Sequence, residues 1–72
     1  MVNKRLLEST IIEMLAKNGA QEFSYIFKFL NDRFQNVDED DLRRALMNLE
    51  LRGILRVYPS LKDKQRVELV RG

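Results

Sequence analysis

Leu7, Ile11, Met14 and Leu15 fall at i, i+4, i+7 and i+8, which gives the first segment one apolar face at the period of a helix. The spacing predicts a helix over about residues 3–18. Asn3 stands where an N-cap side chain accepts from the first free amides, and Asn18-Gly19 supplies the left-handed residue that commonly ends a helix. Gln21-Glu22-Phe23 reads as a stub of strand. Ser24 occupies a capping position, and a second helix is expected from Tyr25 to about Phe34. Ile26, Phe29, Leu30 and Arg33/Phe34 share its inner stripe. Tyr25 and Phe27 lie off the stripe, so this helix is more apolar all round than a simple surface helix. Gln35-Asn36-Val37 is the next turn. Asp38 then caps a third helix over about residues 39–52, with Asp41 completing a shortened capping box and Val37 and Leu42 placed as a hydrophobic staple. Leu42, Ala45, Leu46 and Leu49 form its buried face, and Gly53 stops it.

After Gly53 the apolar period changes from 3.6 to 2. Residues 54–58 and 65–70 alternate, with Leu55 and Val57 on one face of the first run and Val67 and Leu69 inward on the second, so that all four cover the open side of the core. Pro59-Ser60-Leu61-Lys62-Asp63-Lys64 between them is turn-like, so the pair reads as a hairpin. A lone hairpin is marginal in water and must pack on the helices. The expectation is an α+β fold of three helices and a C-terminal hairpin, in the order α-β-α-α-β-β, with residues 1–72 forming one domain.

Composition narrows the chemistry. A chain of 72 residues buries only about 60% of the surface its unfolded form exposes, so the core is thin. The sequence has no cysteine and no histidine, which removes disulfides, thiolate metal sites and the commonest general base. Ser9, Thr10, Ser24 and Ser60 have no catalytic motif around them. The acids Asp38 to Asp41 diverge, because consecutive helical side chains stand about 100° apart. No glycine-rich phosphate loop occurs among three glycines. A binding protein without catalytic residues, cofactor or metal is expected. No apolar run approaches the roughly 18 residues of a membrane span, so a cytoplasmic protein is expected. The net charge is only +2, but it is unevenly spread. Residues 31–41 carry one arginine against five acids, whereas residues 52–72 carry six basic side chains against Asp63 and Glu68.

The order helix, short strand, helix, tight turn, helix and hairpin rests most heavily on Asp41-Leu42-Arg43-Arg44-Ala45-Leu46-Met47-Asn48-Leu49-Glu50-Leu51-Arg52-Gly53-Ile54-Leu55-Arg56-Val57. There, spaced leucines precede a glycine and a strand. In this the chain resembles the winged-helix family, a helix-turn-helix with a β-hairpin wing. The resemblance implies that the third helix enters the major groove of duplex DNA and that the wing meets the backbone. It makes Arg43, Arg44, Met47 and Asn48 the outward face, with arginine suited to guanine and asparagine to adenine. Lys62, Lys64 and Arg66 would meet phosphates, and Ser24 with the free amides of the second helix would hold another. A transcriptional regulator or chromatin-associated factor, in the nucleoid if it binds DNA, is the implied function.

A blander reading stands beside each of these residues. Arg43 and Arg44 can pair with Glu39 or Asp40 on the same helix, and basic residues on hairpin edges guard against aggregation. Asp38 to Asp41 would meet phosphates unfavourably at the helix end that leads into the groove. Many winged helices bind proteins instead. Tyr25, Phe27, Phe34, Met47, Leu51 and Leu61 are surplus apolar side chains suited to such an interface, and Leu6 and Ile12 could join two copies through the first helix. DNA binding and dimerisation are compatible with one another.

Overall fold

The computed structural model describes residues 3–59 and 64–70. Helix α1 spans Lys4–Asn18, strand β1 Gln21–Glu22, α2 Phe23–Arg33, α3 Glu39–Leu51, β2 Leu55–Pro59 and β3 Gln65–Leu69. This is the α+β order that the periodicity predicts. The strands form one antiparallel sheet in the order β1-β3-β2, so the last strand lies between the other two. The register pairs Leu55 with Leu69 and Val57 with Val67 across the hairpin, and Gln21 with Val67 across β1.

Caps fix the ends of α1 and α3. Asn3 accepts from the amides of Arg5 and Leu6. Asp38 accepts from the Asp41 amide at 2.8 Å, and the Asp41 carboxylate accepts from the Asp38 amide at 3.1 Å, a reciprocal capping box. Replacing Asp38 with alanine leaves the Asp41 amide without its partner. It is expected to cost about 1 kcal/mol of stability, read as a lower urea midpoint.

The end of α3 is a Schellman motif: the Ile54 amide donates to Leu49 O at 2.9 Å and the Gly53 amide to Glu50 O at 3.0 Å. Gly53 adopts φ +76°, and a Cβ there would meet open space, so backbone strain alone penalises a side chain. Gly53→Ala is expected to destabilise by about 1–2 kcal/mol, and Gly53→Asn by less, in the same denaturation experiment.

The second helix begins two residues earlier than its pattern suggests. Glu22 is paired with Arg66 in β1, and the chain passes directly into a helix at Phe23. Phe23 and Phe27, one turn apart, are thereby laid against the core. Ser24 is therefore not the cap: it lies exposed inside the first turn, and the N-cap, Glu22, makes no side-chain capping bond. The helix also stops one residue short of Phe34, whose extended backbone serves as the C-cap. In the following turn Asn36 takes φ 66°, a left-handed conformation that asparagine tolerates.

The buried residues form one cluster. Leu7, Ile11, Met14 and Leu15 come from α1, Ile26 and Leu30 from α2, and Leu42, Ala45, Leu46 and Leu49 from α3. Val37 contributes from the turn, and Leu55 and Val67 close the cluster from the sheet. Phe29, Val57 and Leu69, expected inside, are partly buried at its margin.

The outer edge of β2 is blocked. The Val57 amide points away from β3 and donates to Glu50 of α3 at 3.5 Å. Two residues on, at the same edge, Pro59 has no amide to offer.

Candidate interaction site

The outward side of α3 carries Glu39, Asp40, Arg43, Arg44, Met47, Glu50 and Leu51, all exposed. Three carboxylates stand against two guanidinium groups, so this face is not basic. Arg43 is held from two sides. Its guanidinium lies 3.3 Å from the Glu39 carboxylate, one turn back, and 5.7 Å from the centre of the Phe23 ring at the start of α2.

Asn48 faces α1 rather than solvent alone. Its side-chain amide donates to Glu8 of α1 at 2.9 Å. The other oxygen of Glu8 lies 3.5 Å from Arg52, and the Glu8 side chain is only 13% exposed. One carboxylate of α1 thus meets Asn48 of α3 and Arg52, the residue that caps that helix. Arg44, by contrast, makes no ion pair among the described residues.

Met47 is 60% and Leu51 80% exposed, one turn apart on α3. With Leu7 and Ala45 they line a groove of about 780 Å³ between α1 and α3, whose lining also includes Lys4 and Arg44 and the acids Glu8 and Asp41. The other apolar candidates do not join this surface. Ile12, Phe27 and Phe34 are partly buried and packed against the core. Leu6 and Tyr25 are exposed, but on α1 and α2 outside the groove lining. The surplus apolar residues of the sequence therefore divide into core margin, isolated exposed side chains and one paired stripe, Met47 and Leu51.

On the hairpin, Val57 and Val67 face the core, so Arg56, Tyr58, Arg66 and Glu68 share the outer face of the sheet. Arg56 lies opposite Glu68, and Arg66 lies between Tyr58 of β2 and Glu22 of β1. Each of these arginines therefore has an acidic cross-strand neighbour in register, but neither pair is among the ion pairs of the described residues. Lys64 is exposed, whereas Leu61 and Lys62 lie outside the described residues. Ser24 lies on α2, where it is exposed. Glu8 and Lys4 carry no local motif: Glu8 matters through a partner forty positions away in sequence, and Lys4 through the groove that it borders.

No helix among the described residues is long and apolar enough to cross a membrane. Comparison with protein-family models, curated proteins and solved structures finds no match for this chain.

Proposed function

We propose that this chain is a protein-binding domain of winged-helix type, with the outward side of α3 as its contact surface. The observation that carries the reading is the exposure of Met47 and Leu51 as neighbours on that helix. Burying a side chain of either kind contributes about 1.5–3 kcal/mol, and a partner that covers both supplies what a thin core leaves unburied. The polar groups of the same helix suit base reading poorly. Asn48 bonds to Glu8 of α1, exposed Arg43 pairs with Glu39 on its own helix, and Glu39 and Asp40 would face phosphates.

Site-specific photo-crosslinking from position 47 in cells is the direct test. Adducts with protein are expected there, and they should disappear when Leu51→Glu is added. Adducts with nucleic acid at position 47 would overturn the reading.

The second reading is a DNA-binding regulator or chromatin-associated factor. Arg44 favours it, with Lys64 and Arg66 on the hairpin. Titration with duplex DNA at low salt separates the two. The protein-binding reading expects weak association, with α3 amide resonances unmoved. A tight complex whose affinity falls steeply with salt, and falls again when Lys64 and Arg66 are neutralised, would establish the DNA reading instead.

A further inference from the structure

We propose that the Asn18-Gly19 step at the end of α1 is a deamidation site, held closed by the folded junction with β1 and released when the last turn of the helix opens. The junction itself demands the glycine. Gly19 adopts φ 81° and ψ −167°, a region essentially closed to residues with a side chain. Asn18 is engaged on both sides of that turn. Its side-chain amide donates to the Met14 carbonyl at 3.1 Å, and its own carbonyl accepts from the Gln21 side chain at 3.2 Å. Asn18 and Gly19 are both exposed, so water and hydroxide reach them.

The chemistry is intramolecular. The Gly19 amide nitrogen, once its proton has passed to hydroxide, attacks Asn18 Cγ. The bond from Cγ to the side-chain nitrogen breaks, and ammonia leaves with a proton taken from water. Water then opens the succinimide at either carbonyl, to aspartate or isoaspartate. The net reaction turns an amide and water into a carboxylate and ammonium, and nothing is oxidised or reduced. Glycine puts no side chain beside the attacking nitrogen. Asn3, Asn31, Asn36 and Asn48 are followed by Lys4, Asp32, Val37 and Leu49, whose side chains crowd the same approach.

Folding opposes the reaction at three points. The five-membered ring is nearly planar, so Asn18 Cβ and Gly19 N must eclipse about the Cα–C bond, and a helical ψ of about −42° keeps them apart. The hydrogen on the attacking nitrogen is donated to the Leu15 carbonyl at 2.9 Å. The Met14 bond draws the Asn18 amide back along the helix. All three lapse together when the last turn unwinds, and a helix end is where opening costs least. The product cannot restore the junction. A carboxylate has no hydrogen to donate to Met14, and its charge stands at the negative end of the helix dipole. Isoaspartate also adds a carbon to the main chain shortly before Gln21 pairs with Val67.

The test follows the whole chain in mildly alkaline buffer, native and in guanidinium chloride, by peptide mapping of amide-to-acid conversion and of isoaspartate. In denaturant, Asn18 is expected to convert before the other asparagines. In buffer its conversion should be about tenfold or more slower, and it should quicken at denaturant concentrations below the unfolding midpoint. Asn18→Asp, which carries the product's charge on an ordinary main chain, should melt at a lower temperature and exchange its Gly19 amide hydrogen faster. Equal rates in the two solvents, or earlier conversion of another asparagine, would overturn the proposal. Acceleration only at the midpoint would overturn it too, by placing the gate in global unfolding. So would an Asn18→Asp chain with unchanged melting and unchanged Gly19 exchange. The rate measurements need no variant, so they decide the matter even if Asn18→Asp fails to fold.

Discussion

Leu49→Ala is expected to destabilise the fold by about 2–5 kcal/mol, the largest effect of any single truncation considered. Leu49 is 0% exposed and lies on the inner face of α3. Its carbonyl accepts the Ile54 amide that closes the helix, and its side chain belongs to the core cluster against which Ile12 of α1 and Ile54 at the entry to β2 are packed. Truncation opens a cavity where these elements meet, and the backbone, pinned by the Schellman motif, is poorly placed to collapse into it. A chain of 72 residues has a total stability of about 4–11 kcal/mol, so the loss is a large fraction of the whole. Leu51→Ala, two positions on and exposed, is the matched control and should change stability by no more than about 0.5 kcal/mol. Urea unfolding followed by circular dichroism reads both, with an unchanged slope showing that the midpoints compare like with like. A cost below about 1 kcal/mol for Leu49→Ala would mean that the inner face of α3 has been misassigned.

The contrast between Leu49 and Leu51 also shows what the sequence makes legible. Period and caps are local properties, so α1 and α3 could be bounded to within a residue by Asn3, Gly19, Asp38 and Gly53. The switch to period 2 after Gly53 likewise announces the hairpin and which residues line it. The start of α2 was not legible, because it is set by a strand pairing. Glu22 is held opposite Arg66, more than forty positions later, and Phe23 must turn inward at once. A serine in a capping position is a weak signal against two phenylalanines that need the core. The same demand explains why Phe27 and Phe34, apparently surplus, lie against the core margin.

The candidate site was less legible, for a related reason. That Arg43 and Arg44 are exposed on α3 follows from the helical period. The Arg43–Glu39 pair follows from the same period, but that Arg43 also lies over the Phe23 ring, while Arg44 has neither contact among the described residues, requires knowing how α2 crosses α3. Asn48 lies outside the buried stripe by period, yet α1 passes close enough for Glu8 to take its amide. A sequence pattern tells inside from outside. It does not tell which part of the outside another helix already occupies, and here that distinction moves the balance from base reading towards an apolar contact surface.

Glu8→Ala is expected to destabilise by about 2–3 kcal/mol, the largest effect predicted for a polar residue. The Glu8 side chain is 13% exposed, and its carboxylate meets both Asn48 and Arg52, the latter 60% exposed. Most of the loss should come from Asn48, whose amide bonds to a charged acceptor, because an ion pair with an exposed arginine contributes no more than about 1 kcal/mol. A double-mutant cycle of Glu8→Ala with Asn48→Ala isolates the bond and should give a coupling of about 1–2 kcal/mol. The corresponding cycle with Arg52→Ala should give clearly less. The result bears on function as well as on stability. A coupling near zero would mean that the Asn48 amide is available to a ligand, restoring to the DNA reading the base contact that the Glu8 bond removes. A strong coupling holds Asn48 to α1 as a structural tie, and leaves Arg44, Met47 and Leu51 as the exposed groups of α3 on which the proposed protein contact would depend.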